Sequence, residues 1–532
     1  MFASQICVPS SPRRQFLRGG LALITALCAP CAAAIAQETS AAAARAGEVA
    51  NAQRMHRLFP DATRSTRKVP PVIPRLEIDP DPSGAIATLQ PNGPTFTAGN
   101  AFFTALGSND RSCFTCHQPQ DGWTITPGDV RARFAADPND PLFRLVDGAT
   151  CASDDIATPA AKRKAYGLLM QKGLIRIALP MPAVGLQFAI IGVGDPYDCN
   201  TSPVTGLTSS TSGTVSVYRR PLPATNLGFL STIMWDGREP DLFSQALDAT
   251  LGHAQATVPP SPAQLRQIVA FEGCAQADTP TACAPIAPGS GVFTAQIFDD
   301  KAGDLDAGAA GGPVSLPGQL KGFFIGVNDP VGNNPKGTPF TPDIFQLYDQ
   351  WGDEWAGPAK YAGAAAARAA IARGEQLFDT VQINITGVAG LNDVLGKANI
   401  SGSCGTCHDT PAIGDHSVKA PLDIGIAGAG TNSPPGLDIT GLPVFTIWCK
   451  SGPLAGKMFT VTDPGRALIT GQCADIGKIK GPALRGLAAR APYFHNGSAA
   501  SLRDVVEFYD QRFSIGLTKG QKADLAAFLA AL

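Results

Sequence analysis

Along the chain, apolar positions fall into a few stretches separated by long polar ones. Leu21–Ala36 is almost continuously apolar, follows Arg13-Arg14-Gln15-Phe16-Leu17-Arg18, and ends in the small-residue run Ala34-Ile35-Ala36. Residues 37–94 are polar and proline-rich and read as an extended, wrapping N-terminal segment. Gly99–Leu106 carries the pattern of a short helix. Ala364–Phe378, Leu502–Phe513 and Lys519–Leu532 place apolar residues at helical spacing and read as amphipathic helices. Residues 285–345, rich in Gly, Pro, Asn and Asp, read as a crossing between two halves.

The first apolar stretch reads as an export leader. Its basic start and small-residue end mark residues 1–36 as a signal peptide cut before Gln37. The arginine pair also suits a twin-arginine signal, and ordinary Sec export remains equally open. No other run is long enough to span a bilayer, so the mature chain is expected in the periplasm of a Gram-negative cell. The 532 residues allow two or three domains, and the 57 glycines and 45 prolines favour long ordered loops. Charged residues are 16% of the total and the net charge is −2, which argues against a nucleic-acid partner.

The 13 cysteines change the picture. Cys7, Cys28 and Cys31 belong to the leader. Four others form Cys113-Phe-Thr-Cys116-His117 and Cys404-Gly-Thr-Cys407-His408. This spacing sets two thiols to form thioethers with haem vinyl groups, with the next histidine reaching the iron. Zinc would need four ligands at each site, and neither motif has a second pair beside it. The reading is two covalent c-type haems, with His117 and His408 as proximal ligands. Cys151, Cys199, Cys274, Cys283, Cys449 and Cys473 remain, an even number suited to an oxidising compartment. Nearest-neighbour disulfides are expected, although six cysteines allow fifteen pairings.

Each motif is followed by a similar segment. Pro223 leads through an apolar run to Trp235-Asp-Gly and then Leu242. Pro482 leads likewise to His495-Asn-Gly and then Leu502. Each half thus pairs a haem motif with a distal loop and helix.

With these motifs in hand, the chain resembles the bacterial di-haem cytochrome c peroxidase and MauG family. The likeness rests on the two Cys-x-x-Cys-His motifs, on Trp235-Asp-Gly-Arg238 with Gln245, and on Ala491-Pro-Tyr-Phe-His-Asn-Gly-Ser498. It covers residues 95–120, 220–260 and 365–532, leaving 128–220 and 274–345 as insertions. It implies a mainly α fold of two cytochrome-c-like haem domains with long loops. The first, peroxidatic domain spans 95–345 and the second, electron-transfer domain 346–532.

The resemblance also implies roles. Trp235 matches the tryptophan between the haems, and Tyr509 the distal ligand of the second haem, with Met458 as the rival. No histidine lies between His117 and His253, so the first haem is expected to keep an open face. Gln245 matches the pocket glutamine. Gln255 stands where the family has its catalytic glutamate; a glutamine cannot carry a proton, and His253 is the candidate to replace it. Arg238, Lys480 and Arg485 are candidate propionate partners, and His495 is expected to shape the second haem's distal side. A calcium ion is implied at the carbonyls of Arg490 and Pro492 and at Asn226. His56 and His416 receive no role.

The implied function is periplasmic reduction of hydrogen peroxide with electrons from a small cytochrome c or copper protein, through a high-valent state shared by two haems. Oxidation of a partner protein's side chains, or oxygenation of an organic molecule, stays open, as does a plain electron carrier.

Overall fold

The computed structural model describes residues 68–81, 84–273, 291–297, 315–320, 322–324, 326–332, 334–353, 364–410, 413–414 and 420–532. The leader, His56, Cys274, Cys283 and His416 lie outside the described residues, and so does the pairing expected of Cys274 with Cys283. All described residues belong to one compact unit, Arg54–Leu532. Among them no helix is long and apolar enough to cross a membrane.

The C-terminal helices form as the pattern predicts, at Ala364–Thr380, Leu502–Phe513 and Lys519–Ala531. Ser501 with Asp504, and Thr518 with Gln521, close capping boxes that satisfy the first backbone N–H groups. The first and last of these helices pack so closely at Gly374 that an added Cβ would sit 2.1 Å from the Asp524 carbonyl oxygen. Only glycine fits there, and Arg373 clamps Asp524 at 2.7 Å beside it. Their apolar faces meet Phe345, Tyr348 and Trp351 in one buried core.

Gly99–Leu106 is not a helix. Its bonds are turn bonds, from Phe103 N to the Asn100 carbonyl (3.0 Å), while the Asn100 side chain accepts from Phe102 N (3.0 Å). A local side-chain acceptor here outcompetes the helical ladder. Phe102 and Phe103 still bury, packing with Phe114, Trp123 and Phe271.

The expectation of a mainly α chain also needs correction. Five small sheets accompany the helices among the described residues. In the insertion, Ile175–Pro180 pairs antiparallel with Thr214–Arg219. Phe188–Gly194 pairs with Val444–Cys449, which in turn pairs with Met458–Val461. Strands from before and after the expected domain boundary therefore share one sheet. The alternation that builds them was present: Val215 and Val217 are fully buried on one face. Leu76–Asp81, Gly84–Leu89 and Phe293–Ile297 form a second three-stranded sheet, so part of the N-terminal segment is strand. Cys151–Cys199 and Cys449–Cys473 are both bonded, as nearest-neighbour pairing predicts.

The internal repeat is present down to the backbone. Met234 and Phe494, each preceding its ring residue, share φ 64°, and Gly237 and Gly497 have φ 65° and 62°. Ile233 bridges Glu239 as Tyr493 bridges Ala499. Leu242 and Leu502 each open the following helix, capped by Asp241 and Ser501.

Candidate haem sites

The cysteine pair of each motif begins a single 3₁₀ turn, Cys113–Thr115 and Cys404–Thr406. Ser112 N and Ser403 N donate to the Thr115 and Thr406 hydroxyls at 3.1 and 3.0 Å. Both proximal histidines are then oriented the same way. His117 Nδ1 donates to the Trp123 carbonyl and His408 Nδ1 to the Gly414 carbonyl, each at 2.8 Å and each six residues on. A carbonyl can only accept, so the proton is on Nδ1 and Nε2 carries the lone pair that a metal ligand would need. Trp123 and Gly414 reach this position through positive φ values of 58° and 65°. Phe102 and Phe378 lean on the two imidazoles at matching ring distances of 6.2 and 6.1 Å.

Each motif lines a cavity. The first, about 1090 Å³, is bounded by Cys113, Cys116 and His117 on one side and by Gln245, His253 and Arg238 on another. The second, about 1420 Å³ and mostly apolar, is bounded by Cys404, Cys407, His408, Tyr509, His495 and Lys480. Haem fits both. The four motif thiols are unpaired in a chain that bonds its other described cysteines, and burial pushes the thiols of Cys404 and Cys407 up to about 12. In the second cavity His495 is fully buried with neither ring nitrogen hydrogen-bonded; burial holds its imidazole neutral, down to about 4. The second space is mostly apolar, whereas the first is also lined by Arg111, Arg219, Arg220 and Arg238; Lys480 lines the second.

Trp235 lines both cavities. Its indole N–H donates to the Arg220 carbonyl at 2.7 Å, and its carbonyl accepts from Lys480 N at 2.8 Å. His495 stands 6.2 Å away, ring to ring. Beneath the pair lies a buried charge cluster that the sequence reading missed. Arg219 grips Asp463 at 2.6 and 2.9 Å and also bonds Asp236, all three essentially inaccessible. Burial alone would raise both carboxyls, but Arg219 outweighs it and holds them below the usual carboxylate range. Nothing in the linear sequence links Arg219 with Asp463, 244 residues apart.

Other expectations fall differently. Tyr509 lines the second cavity and stacks on Phe513. Met458 is 58% exposed on the edge strand and does not line it. Arg485 is buried beside Tyr348 and Glu375 and lines neither cavity described here. Gln255 turns away from the first cavity, its side-chain oxygen accepting from Asn109 at 3.3 Å, with φ 54°.

The calcium site does not fit. Asn226 spends its amide on strand Phe293–Ile297, donating to the Thr294 carbonyl (2.9 Å) and accepting from Thr294 N (3.1 Å). The Arg490 guanidinium donates to the carbonyls of Ala483 (2.7 Å), Arg485 (3.0 Å) and Gly486 (3.1 Å). The Arg490 carbonyl is itself taken by Arg220, at 3.1 Å. Burial lowers both arginines only to about 10, so two cations occupy this junction at neutral pH and oppose a third. Excess EGTA is accordingly expected to leave the melting temperature of the holoprotein within about 1 °C. Loss of a native-state ligand would shift it by more. A drop reversed by added calcium would restore the ion.

No protein-family model matches the chain. A stretch of 143 residues is 32% identical to the cytochrome-c peroxidase IdrP2 of Denitromonas iodatirespirans, covering 25% of this chain and 36% of that protein. A stretch of 81 residues is 38% identical to the cytochrome-c peroxidase IdrP1 of Pseudomonas sp. (strain SCT), covering 13% and 21%. The cytochrome c551 peroxidase of Nitrosomonas europaea is 28% identical over 130 residues, 24% of this chain and 30% of that one. The chain thus spans about a third of the length of the curated relatives it matches over the longer stretches. Among solved structures, one titled as a MauG-like protein associated with microbial copper homeostasis aligns over 82% of this chain and 88% of its own. Its identity is 17% and its TM-score 0.31, too loose a superposition to carry an argument.

Paired Cys-x-x-Cys-His cavities of this shape define a c-type haem protein. Over the stretches that match, the chain is similar to bacterial cytochrome-c peroxidases.

Proposed function

We propose that the protein is exported to the periplasm, carries one covalent haem in each cavity, and reduces hydrogen peroxide with electrons from a small cytochrome c or copper protein. The observation that carries this reading is that one indole, Trp235, forms a wall of both cavities. Bound haem supplies iron that exchanges electrons with peroxide and with its neighbouring haem. His117 would hold the first iron from one side, leaving the face toward Gln245 and His253 for peroxide. His408 and Tyr509 would hold the second from both sides. The Tyr509 hydroxyl has no hydrogen-bond partner among the described residues, and burial pushes its ionisation up, above the range of a free tyrosine. A phenolate is stable there only against a cation, which suits a ligand better than a free side chain. Arg238 and Lys480 would anchor propionates, and Trp235 would pass charge between the sites.

EPR of the ferric protein before and after one equivalent of peroxide tests this. One high-spin and one low-spin ferric signal, both altered by peroxide, is the expected result. Two six-coordinate low-spin haems unaffected by peroxide would leave only an electron carrier.

A second reading has its own observation. A further cavity of about 780 Å³ adjoins the first haem cavity, sharing Gln245 and His253, and is roomier than peroxide requires. It suits oxidation of an organic molecule or of a partner's side chain. Negligible turnover with reduced small cytochromes or copper proteins, beside a full reaction with peroxide, would select it.

A further inference from the structure

The residue that would move protons in the first site is held by a partner that no sequence motif pointed to. His253 ends the helix Leu242–Gly252. Its Nδ1 lies 2.5 Å from Asp147 Oδ2. The other carboxylate oxygen of Asp147 accepts from Arg111, and Arg176 N donates to the Asp147 carbonyl at 2.7 Å. Arg111 is two residues before Cys113. Its guanidinium also donates to the carbonyls of Pro141 (2.8 Å), Leu142 (2.6 Å) and His253 (3.3 Å), while Asn109 donates to the His253 carbonyl at 2.8 Å. One buried cation therefore ties together the haem-attachment turn, the carboxylate and the distal histidine. Asp147 and His253 both line the haem cavity and the 780 Å³ cavity beside it, at the junction of the two. The imidazole is 36% exposed, and its Nε2 makes no hydrogen bond among the described residues.

We infer that Asp147 is a positioning residue for peroxide reduction: it accepts the Nδ1 proton of His253, so that Nε2 is the basic nitrogen presented to peroxide. The couple takes the place of a carboxylate at Gln255, which turns out of the cavity. Although burial alone would raise the Asp147 carboxyl, Arg111 and His253 hold it down to about 2, so it stays ionised. An anion on Nδ1 fixes the tautomer and stabilises the imidazolium that forms during proton transfer, as in other aspartate–histidine pairs.

The inference rests on the peroxidase reading. His253 Nε2 takes the proton from one peroxide oxygen and returns it to the other, which leaves as water when the O–O bond breaks. Two electrons from a one-electron redox protein and two protons from solvent convert the remaining oxygen to a second water. The adjoining cavity is the route for those protons. Across it Arg176, Arg238, Glu239 and Asp248 face the couple, and His117 faces it across the haem cavity.

The test uses the holoprotein with Asp147→Asn, His253→Gln and the double variant. Asparagine keeps an acceptor for Arg111 but loses the charge. Asp147→Asn is expected to lower kcat/KM for peroxide about 100-fold, within the range general acid–base catalysis supplies. Without the anion the imidazolium is less stable, so the acid limb of the pH profile should move to lower pH. The association rate of cyanide, which binds as HCN and needs a base, should fall with the same pH shift. Since Asp147 acts through His253, the double variant should match His253→Gln within about twofold. Asp147→Asn with wild-type rates and an unmoved pH profile, or a double variant far slower than His253→Gln, would overturn the inference. If the wild type proves inert to peroxide the function reading fails, and the cyanide rates still decide whether Asp147 governs His253.

Discussion

Arg219→Met is expected to destabilise the folded holoprotein by about 3–5 kcal/mol, the usual cost of removing one partner from a buried ion cluster. The substitution leaves Asp463 without its charged clamp and Asp236 with Arg238 as its one remaining arginine, in a site that water does not reach. Chemical unfolding followed through the haem absorbance measures the change. The pH dependence separates charge from packing. In the wild type, Arg219 holds both carboxyls below their unfolded value near 4. Their contribution is full above that pH and is lost as pH falls through the lower folded values. In the variant burial is opposed only by Arg238 at Asp236 and mainly by the Gly465 N–H at Asp463, so the Asp463 value rises most and lowering the pH from 7 toward 5 should stabilise it. Adding Asp463→Asn to the variant should recover part of the loss. A loss below about 1 kcal/mol, or unchanged pH behaviour, would mean the cluster is not the electrostatic keystone between the cavities.

The second large effect is at Trp235. Trp235→Phe keeps an aromatic ring in a site only 8% exposed, but removes the N–H that the Arg220 carbonyl accepts and the readily oxidised indole. The lost hydrogen bond should cost about 1 kcal/mol of stability. The functional effect should be larger. Reaction of peroxide at the first site should persist, while the spectral response of the second site slows at least about tenfold, or about 1.4 kcal/mol in barrier. Stopped-flow absorbance resolves the two. Trp448→Phe, at an exposed sheet position, serves as the control and should change neither rate. Equal response times in Trp235→Phe and wild type would mean that charge passes between the sites without this indole.

These two experiments address what the chain order conceals. The haem motifs, the helices Leu502–Phe513 and Lys519–Ala531, and the repeat around Trp235 and His495 were all legible, because each is set by local chemistry: a thiol spacing, an N-cap, a helical apolar period. The repeat even carries its backbone signature, since Asp-Gly and Asn-Gly supply the turns that the ring residues need. The short insertion strands were passed over, residues 128–220 being read only as an insertion in a mainly α chain, although Val215 and Val217 alternate with polar neighbours. A two-residue period over so few positions gives a weak signal until a partner strand is in place. Gly99–Leu106 failed the other way: its apolar pattern was helical, but the Asn100 side chain captured the backbone first.

The sequence by itself determined where the two Cys-x-x-Cys-His turns fall, which histidine follows each, and which residues cap the helices, since these depend on neighbours a few positions apart. Only the tertiary structure decided which distant groups meet: Arg111 with Asp147 and His253, Arg219 with Asp463, Arg490 with three carbonyls where a metal ion was expected. The physical reason is common to all three. A buried charge must find its partner or its acceptors wherever the fold brings them within about 3 Å, and that distance is fixed by packing rather than by chain order.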